Sequence, residues 1–425
     1  MRILRAVGLQ FLLALGTLGP ATVPGVRAQT DPVALQGGRI HTVTQGVIEN
    51  GTILMRDGRI TDIGAAVAIP PDARIVDVSG KVLMPGLIDG FTNLGTADYP
   101  SLGTDDDEAT DPVTPHMRII DGLNPDNRFI LLARRSGVTA ALSAPSGGNL
   151  FTGQSALVQL EGATVEDMVT SFPVGIHVTL GEAPKARYGT KNRAPMTRMG
   201  SAALLRQTLV DALGYGEKLS AYERKAEAFE AGDEEKKPTP VPRDLKLEAL
   251  LPVVQGKKPL IIAADRYDDI HTALRVCSEF EVRMILHGGA ESHRLAKELA
   301  DRGVPVIWGP AAASYEELEA RSGTPRTPVS LADAGVPFAF QTGSVENVAG
   351  LLDEARLAFS HGLPYEEAMR GLTLYPAGIF GVVDQMGSLE VGKSADIIVL
   401  SGDPLRASSR IETVFVKGRP SEGLR

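Results

Sequence analysis

Met84-Pro85-Gly86-Leu87-Ile88-Asp89 decides the fold of this chain. The apolar run Lys81-Val82-Leu83-Met84 reads as a strand, and Pro85-Gly86 ends it and permits a sharp turn before a second strand begins. Far along the chain, Gly387-Ser388-Leu389-Glu390-Val391-Gly392-Lys393-Ser394-Ala395-Asp396-Ile397 marks a second boundary, with its two outer glycines punctuating a hairpin. Both stretches describe scaffold and carry no chemistry. Before the first boundary lie short strands with turn signals between them: Val33-Ala34-Leu35-Gln36, Arg39-Ile40-His41-Thr42-Val43, Gly51-Thr52-Ile53-Leu54-Met55, Arg59-Ile60-Thr61-Asp62-Ile63 and Ile75-Val76-Asp77-Val78. Strands return after Pro376, at Ala395-Asp396-Ile397-Ile398-Val399-Leu400 and Val414-Phe415-Val416. The simplest topology joins both ends of the chain in one β-sandwich and inserts everything else between them.

The inserted part alternates strand-like apolar runs with helical patterns. The runs are Val138-Thr139-Ala140-Ala141-Leu142, Val174-Gly175-Ile176-His177-Val178, Leu260-Ile261-Ile262, Met284-Ile285-Leu286, Val304-Pro305-Val306-Ile307 and Phe338-Ala339-Phe340. Amphipathic segments at 270–279 and 292–302 stand between them. Alternation over so long a span favours a parallel βα barrel over an open sheet. The mixed-charge run at 230–237, followed by Pro238-Thr239-Pro240, predicts the end of an exposed helix and a solvated loop, with a mobile lid as the functional alternative.

These boundary motifs resemble those of the amidohydrolase superfamily, nearest its imidazolonepropionase-like branch. Met84 to Asp89 resembles the entry into the family's first barrel strand, and the stretch from Gly387 resembles its C-terminal return. Leu372-Thr373-Leu374-Tyr375-Pro376-Ala377 is similar to the helix that precedes that return. The resemblance covers almost the whole chain beyond its leader. It implies a (βα)8 TIM-like barrel at 86–376, inserted into a small β-sandwich made by 29–85 and 377–425.

The resemblance also implies metal chemistry at the C-terminal strand ends. Alternate residues of a strand share a face, so His-x-His places two imidazoles on one ion. Further histidines and an aspartate complete the family's set, and the metal lowers the pKa of a bound water. Here the paired histidines are replaced by Phe91, Thr92 and Asn93. A later histidine would fall near Ala263, with Asp265 the nearest potential ligand, and the aspartate near Gly343 in Gln341-Thr342-Gly343. Only Ile285-Leu286-His287-Gly288-Gly289 keeps a histidine where one belongs. His177 is either a group facing the barrel mouth or a packed strand histidine. The candidate pocket is therefore Phe91, Asn93, His177, Asp265, Arg266, His287 and Thr342. No metal ligand set is complete: His287 is a weak candidate, and Zn²⁺ at low occupancy is the most this inventory supports. Asp105-Asp106-Asp107-Glu108 is either a solvated acidic loop or a hard-cation site.

Composition narrows the rest. Apolar residues make up 43% and charged residues 22%, ordinary for a globular chain of 425 residues. The formal charge is −9, which argues against nucleic-acid binding through phosphates. Arg2 and Arg5 precede an apolar run at 6–18 and then Val26-Arg27-Ala28. This predicts a signal peptide over 1–28, a mature start at Gln29 and export to the periplasm or beyond. The run is shorter than the ~20 residues of a spanning helix, so no stable membrane span is expected. The single cysteine, Cys277, excludes an internal disulfide and reads as a small core residue.

Two functions remain open. One is an exported relative with a degenerate metal site that binds a polar small molecule, or pairs with an active amidohydrolase or with itself. The other is a hydrolase of non-peptide carbon–nitrogen bonds, such as cyclic amides, working through a reduced or unusual metal site.

Overall fold

The computed structural model describes residues 31–98, 104–311, 319–320 and 322–421, and the leader expected over 1–28 lies outside them. β1 (Val33–His41) pairs antiparallel with β2 (Val47–Arg56), and β2 with β3 (Arg59–Gly64). Asp57 and Gly58 join the latter two with φ of 51° and 80°, the tight hairpin geometry that Asp-Gly favours. β4 (Arg74–Asp77) and β5 (Val82–Pro85) run parallel to β1.

Beyond the Pro85-Gly86 bend come β6 (Leu87–Thr92), β7 (Val138–Ser143), β8 (Phe151–Gln154), β9 (Ala156–Gln159), β10 (Val169–Ser171), β11 (Ile176–Thr179), β12 (Leu260–Ala264), β13 (Met284–Gly288), β14 (Val306–Trp308) and β15 (Phe338–Phe340). They form two sheets, ordered β10-β9-β7-β6 and β15-β14-β13-β12-β11-β8. β6 and β7 are parallel, and so are β11 to β15 in succession. The segment holding β8 and β9 runs antiparallel to both β11 and β7, where the apolar alternation led us to expect parallel strands only. Residues 144–150 are too few for a parallel crossover, so the chain must turn back.

Helices cover these sheets. In Tyr267–Glu279, Ile270, Ala273, Leu274 and Cys277 are buried at helical spacing. The helix Arg198–Ala231 starts on the Thr197 cap and ends at left-handed Gly232. The charged run at 230–237 forms its last turn and an exposed loop. Ile88, Leu142, Ile261, Ile285 and Ile307 from the strands share one core with Ala377, Phe380 and Met386. Among the described residues no helix is long and apolar enough to cross a membrane.

β16 (Ile397–Leu400), β17 (Ile411–Val416) and β18 (Arg419–Pro420) then return to the first strands. β16 pairs antiparallel with β5, Ile397 opposite Pro85 and Leu400 opposite Val82. The result is one mixed sheet ordered β18-β17-β16-β5-β1-β2-β3, with β4 on β1. Leu35, Ile53 and Leu83 share a core with Ile397 and Phe415, so the two chain ends stabilise each other. Buried Asp396 ties this sheet to the inner ones through Gln159 Nε2 at 2.6 Å. The chain is thus a mixed α/β fold.

Candidate functional site

Gly90 lets β6 press against its neighbours. A Cβ there would lie 2.9 Å from the Phe340 carbonyl oxygen and 2.9 Å from Ile307. The register of β6 on β7 slips between Asp89 and Thr92, placing one extra residue on β6. With this bulge Phe91 joins the inner core beside Ile285 and Ile307. Its ring stacks on His287 at 3.9 Å with 26° between the planes, and lies 5.6 Å from His177. The two imidazoles meet edge-on at 6.4 Å.

Both histidines are held neutral. Burial pushes His287 down to about 4, partly opposed by its hydrogen bond to Gln341. His287 Nε2 lies 2.9 Å from Gln341 Oε1, while Gln341 Nε2 donates to the Gly309 carbonyl. That second bond assigns the amide oxygen to the histidine, so Nε2 carries the proton. His177 lies well below its ordinary range, through burial first and the neighbouring His287 second. Its Nε2 is buried and lacks a hydrogen-bond partner among the described residues.

Asp89 lies two residues before Phe91 on β6. It is fully buried, and its Oδ1 accepts from Thr342 N at 3.0 Å and Phe91 N at 3.2 Å. Its Oδ2 accepts from the Thr342 hydroxyl. Burial outweighs these bonds and pushes the carboxyl up to about 7. Asp89 and Gln341 were not among the sequence candidates. A signal existed for the first: an acid inside Leu87-Ile88-Asp89, on a strand covered on both faces, must find hydrogen bonds or a proton.

The other candidates are placed as follows. Thr342 is committed to Asp89. Asn93 ties two loops together, donating to Asp106 Oδ2 at 3.1 Å and accepting from Val345 N at 3.0 Å. Asp265 accepts from Ala290 N at 3.1 Å and so holds the turn after β13. Arg266 is exposed and makes two bonds to Asp268, at 3.0 and 2.8 Å. Phe91, His177 and His287 therefore come together with Thr342 close by, while Asn93, Asp265 and Arg266 serve loops and surface. The acidic loop is likewise used internally: Asp106 meets Asn93, and Asp107 pairs with Arg187.

Two cavities flank the strand ends. One of about 430 Å³ is lined by Arg266 with its partner Asp268, by Tyr267 and Arg294, and by Glu182, Glu291 and Glu319. Within it the Arg294 guanidinium lies 4.3 Å from the Tyr267 ring centroid. The other, about 360 Å³, includes Thr342, Glu346 and Glu354.

The family's metal does not fit these residues. Ala263 aligns with His287 across β12 and β13, where an imidazole would be needed. Phe91 has no lone pair to offer, and the Asn93 amide is engaged elsewhere. Among the described residues no three of His, Cys, Asp and Glu come together as a metal requires.

The amidohydrolase family pattern matches residues 214–421. The chain is 28% identical over 396 residues to amidohydrolase tasK of Hapsidospora irregularis, covering 87% of this chain but only 39% of that protein. It is 26% identical to the imidazolonepropionase of Symbiobacterium thermophilum, over 84% of each chain. The crystal structure of an amidohydrolase from Thermotoga maritima superposes with a TM-score of 0.86 at 31% identity, covering 92% of this chain and 100% of that one. On this similarity and on the shared fold, the chain belongs to the amidohydrolase superfamily.

Proposed function

We propose that this chain is an exported amidohydrolase-fold protein that binds a polar small molecule at the strand ends and does not activate water on a metal. The observation that carries this is the Phe91 ring, which stacks on His287 where the family's paired histidines would begin. In this reading the inner sheets close as a (βα)8 barrel over 86–376, and 29–85 with 377–425 form a sandwich beside it. The backbone bond from Gly343 N to the Phe91 carbonyl, 3.1 Å, supports such closure. The cavity holding Arg266 supports binding: two guanidiniums, an aromatic face and four carboxylates, Asp268 among them and already bonded to Arg266, suit a molecule bearing both donors and acceptors.

A thermal-shift screen of small amides and carboxylates tests the reading. Ligand at 100 times its Kd should stabilise the fold by ~2.7 kcal/mol, and Arg266→Ala should abolish that shift without unfolding the protein. Absence of any shift, with co-purification of a histidine-complete relative, would replace ligand binding by pairing. For export, N-terminal sequencing from an exporting host should return Gln29, and a retained Met1 in cytoplasmic protein would contradict it.

A second reading keeps hydrolysis of non-peptide carbon–nitrogen bonds. Similarity to an imidazolonepropionase over 84% of its length favours it, with His287 and His177 as the groups brought together and Asp265 and Asn93 available only if their loop bonds open. Metal-dependent turnover of a cyclic amide, lost in His287→Ala and kept in Phe91→Ala, would establish it.

A further inference from the structure

The end of the inner sheets opposite Phe91 carries a larger opening. Pro259, Arg283, Pro305 and Pro337 each immediately precede a strand, β12 to β15, and all four line a cavity of about 890 Å³. Its depth reaches buried apolar groups, among them Leu274, Cys277 and Ile285. Part of its rim is an apolar side chain left to water: Val383 is 37% exposed. The volume falls in the range of small-molecule sites, which are mostly apolar with a few placed polar groups.

The charged groups at this opening are Glu281, Arg283 and Arg302. Arg302 is already engaged, with Glu298 at 2.7 Å and the Leu274 carbonyl at 3.2 Å. Arg283 is exposed, and no ion pair or hydrogen bond engages its guanidinium among the described residues. Glu281 disfavours an anion and Arg302 is spent on Glu298, so the carboxylate falls to Arg283. We propose that this cavity binds an amphipathic carboxylate, its hydrocarbon in the depth beside Cys277 and Ile285 and its carboxylate on Arg283. A planar guanidinium forms two parallel bonds to a carboxylate, which an alcohol of equal length cannot reproduce. The site lies apart from Arg266 and the strand-end cavities, so it stands or falls independently of the function proposed above.

Calorimetric titration of the full chain with sodium decanoate, and with decanol for comparison, tests the proposal. Cys277 is the only thiol in the sequence, so its rate of modification by N-ethylmaleimide reports occupancy. Decanoate should bind and slow that modification several-fold. Arg283→Gln should weaken decanoate about tenfold and leave decanol unchanged. Gly378 lines the cavity, and a Cβ there would meet nothing within 4 Å, so Gly378→Phe should fill the space and remove binding of both. Circular dichroism confirms that the variants fold. Failure of decanoate to bind overturns the proposal, as does equal affinity in Arg283→Gln or protection of Cys277 that persists in Gly378→Phe. A dimer of the native chain that Gly378→Phe dissociates would instead assign the opening to a second copy.

Discussion

Replacing Asp89 by asparagine isolates the charge buried on β6. The exchange keeps the shape and the acceptor for Thr342 N and Phe91 N, and the new amide can donate to the Thr342 hydroxyl. What it removes is a titration. The native carboxyl is carried from 3.8 to about 7, so between those pH values the folded chain keeps a proton that the unfolded chain releases. Stability contributed by the protonated acid is therefore present at low pH and lost as pH rises from ~4 through ~7. At 1.36 kcal/mol for each tenfold change in proton affinity, the loss is ~4 kcal/mol. His177 and His287 act in the opposite sense, since both are neutral when folded and cost stability as pH falls below 6.5. They are common to both proteins and cancel in the difference. Urea denaturation at fixed pH from 4 to 8 should show Asp89→Asn gaining ~4 kcal/mol on the native chain across that range. A stability difference between the two proteins that stays constant from pH 4 to 8 would mean that Asp89 does not hold a raised pKa in the folded chain.

Phe91→Ala should cost ~3–5 kcal/mol, the range for emptying a packed aromatic site, and should let the His287 titration, followed by NMR, rise from about 4 towards its ordinary value. An unchanged midpoint would mean that the ring does not fill the space between the histidines. Deleting the chain from Gly387 onward removes β16, leaving β5 with an unpaired edge and the shared core of Leu35, Ile53 and Leu83 uncovered. Insoluble protein is expected. A truncated chain that melts cooperatively at the native midpoint would show that the ends do not depend on each other.

Much of the scaffold was legible because its signals are local. Pro85-Gly86 and Asp57-Gly58 are turns by backbone chemistry, and runs such as Leu260-Ile261-Ile262 are apolar because both faces are covered. The β8–β9 segment was missed because Phe151-Thr152-Gly153-Gln154 mixes polar and small residues, and its pairing with β7 and β11 is set by tertiary contacts. At the site, the substitution of Phe91 and the survival of His287 could be seen in the sequence. The stack of the two depends on a bulge that no spacing rule announces. The sequence around Arg266 leaves open whether its guanidinium meets a ligand or pairs with Asp265 or Asp268. The structure gives it to Asp268 and uses Asp265 to hold the 288–291 turn.

In the function proposed above, the strand ends hold the Phe91–His287 stack in place of a metal centre. Elemental analysis of the purified chain after dialysis tests it most directly. Zinc well below one equivalent per chain is expected, because Phe91 and Ala263 have no lone pairs and, among the described residues, no third ligand joins His177 and His287. Two equivalents of tightly held zinc, lost together in His287→Ala, would contradict the account.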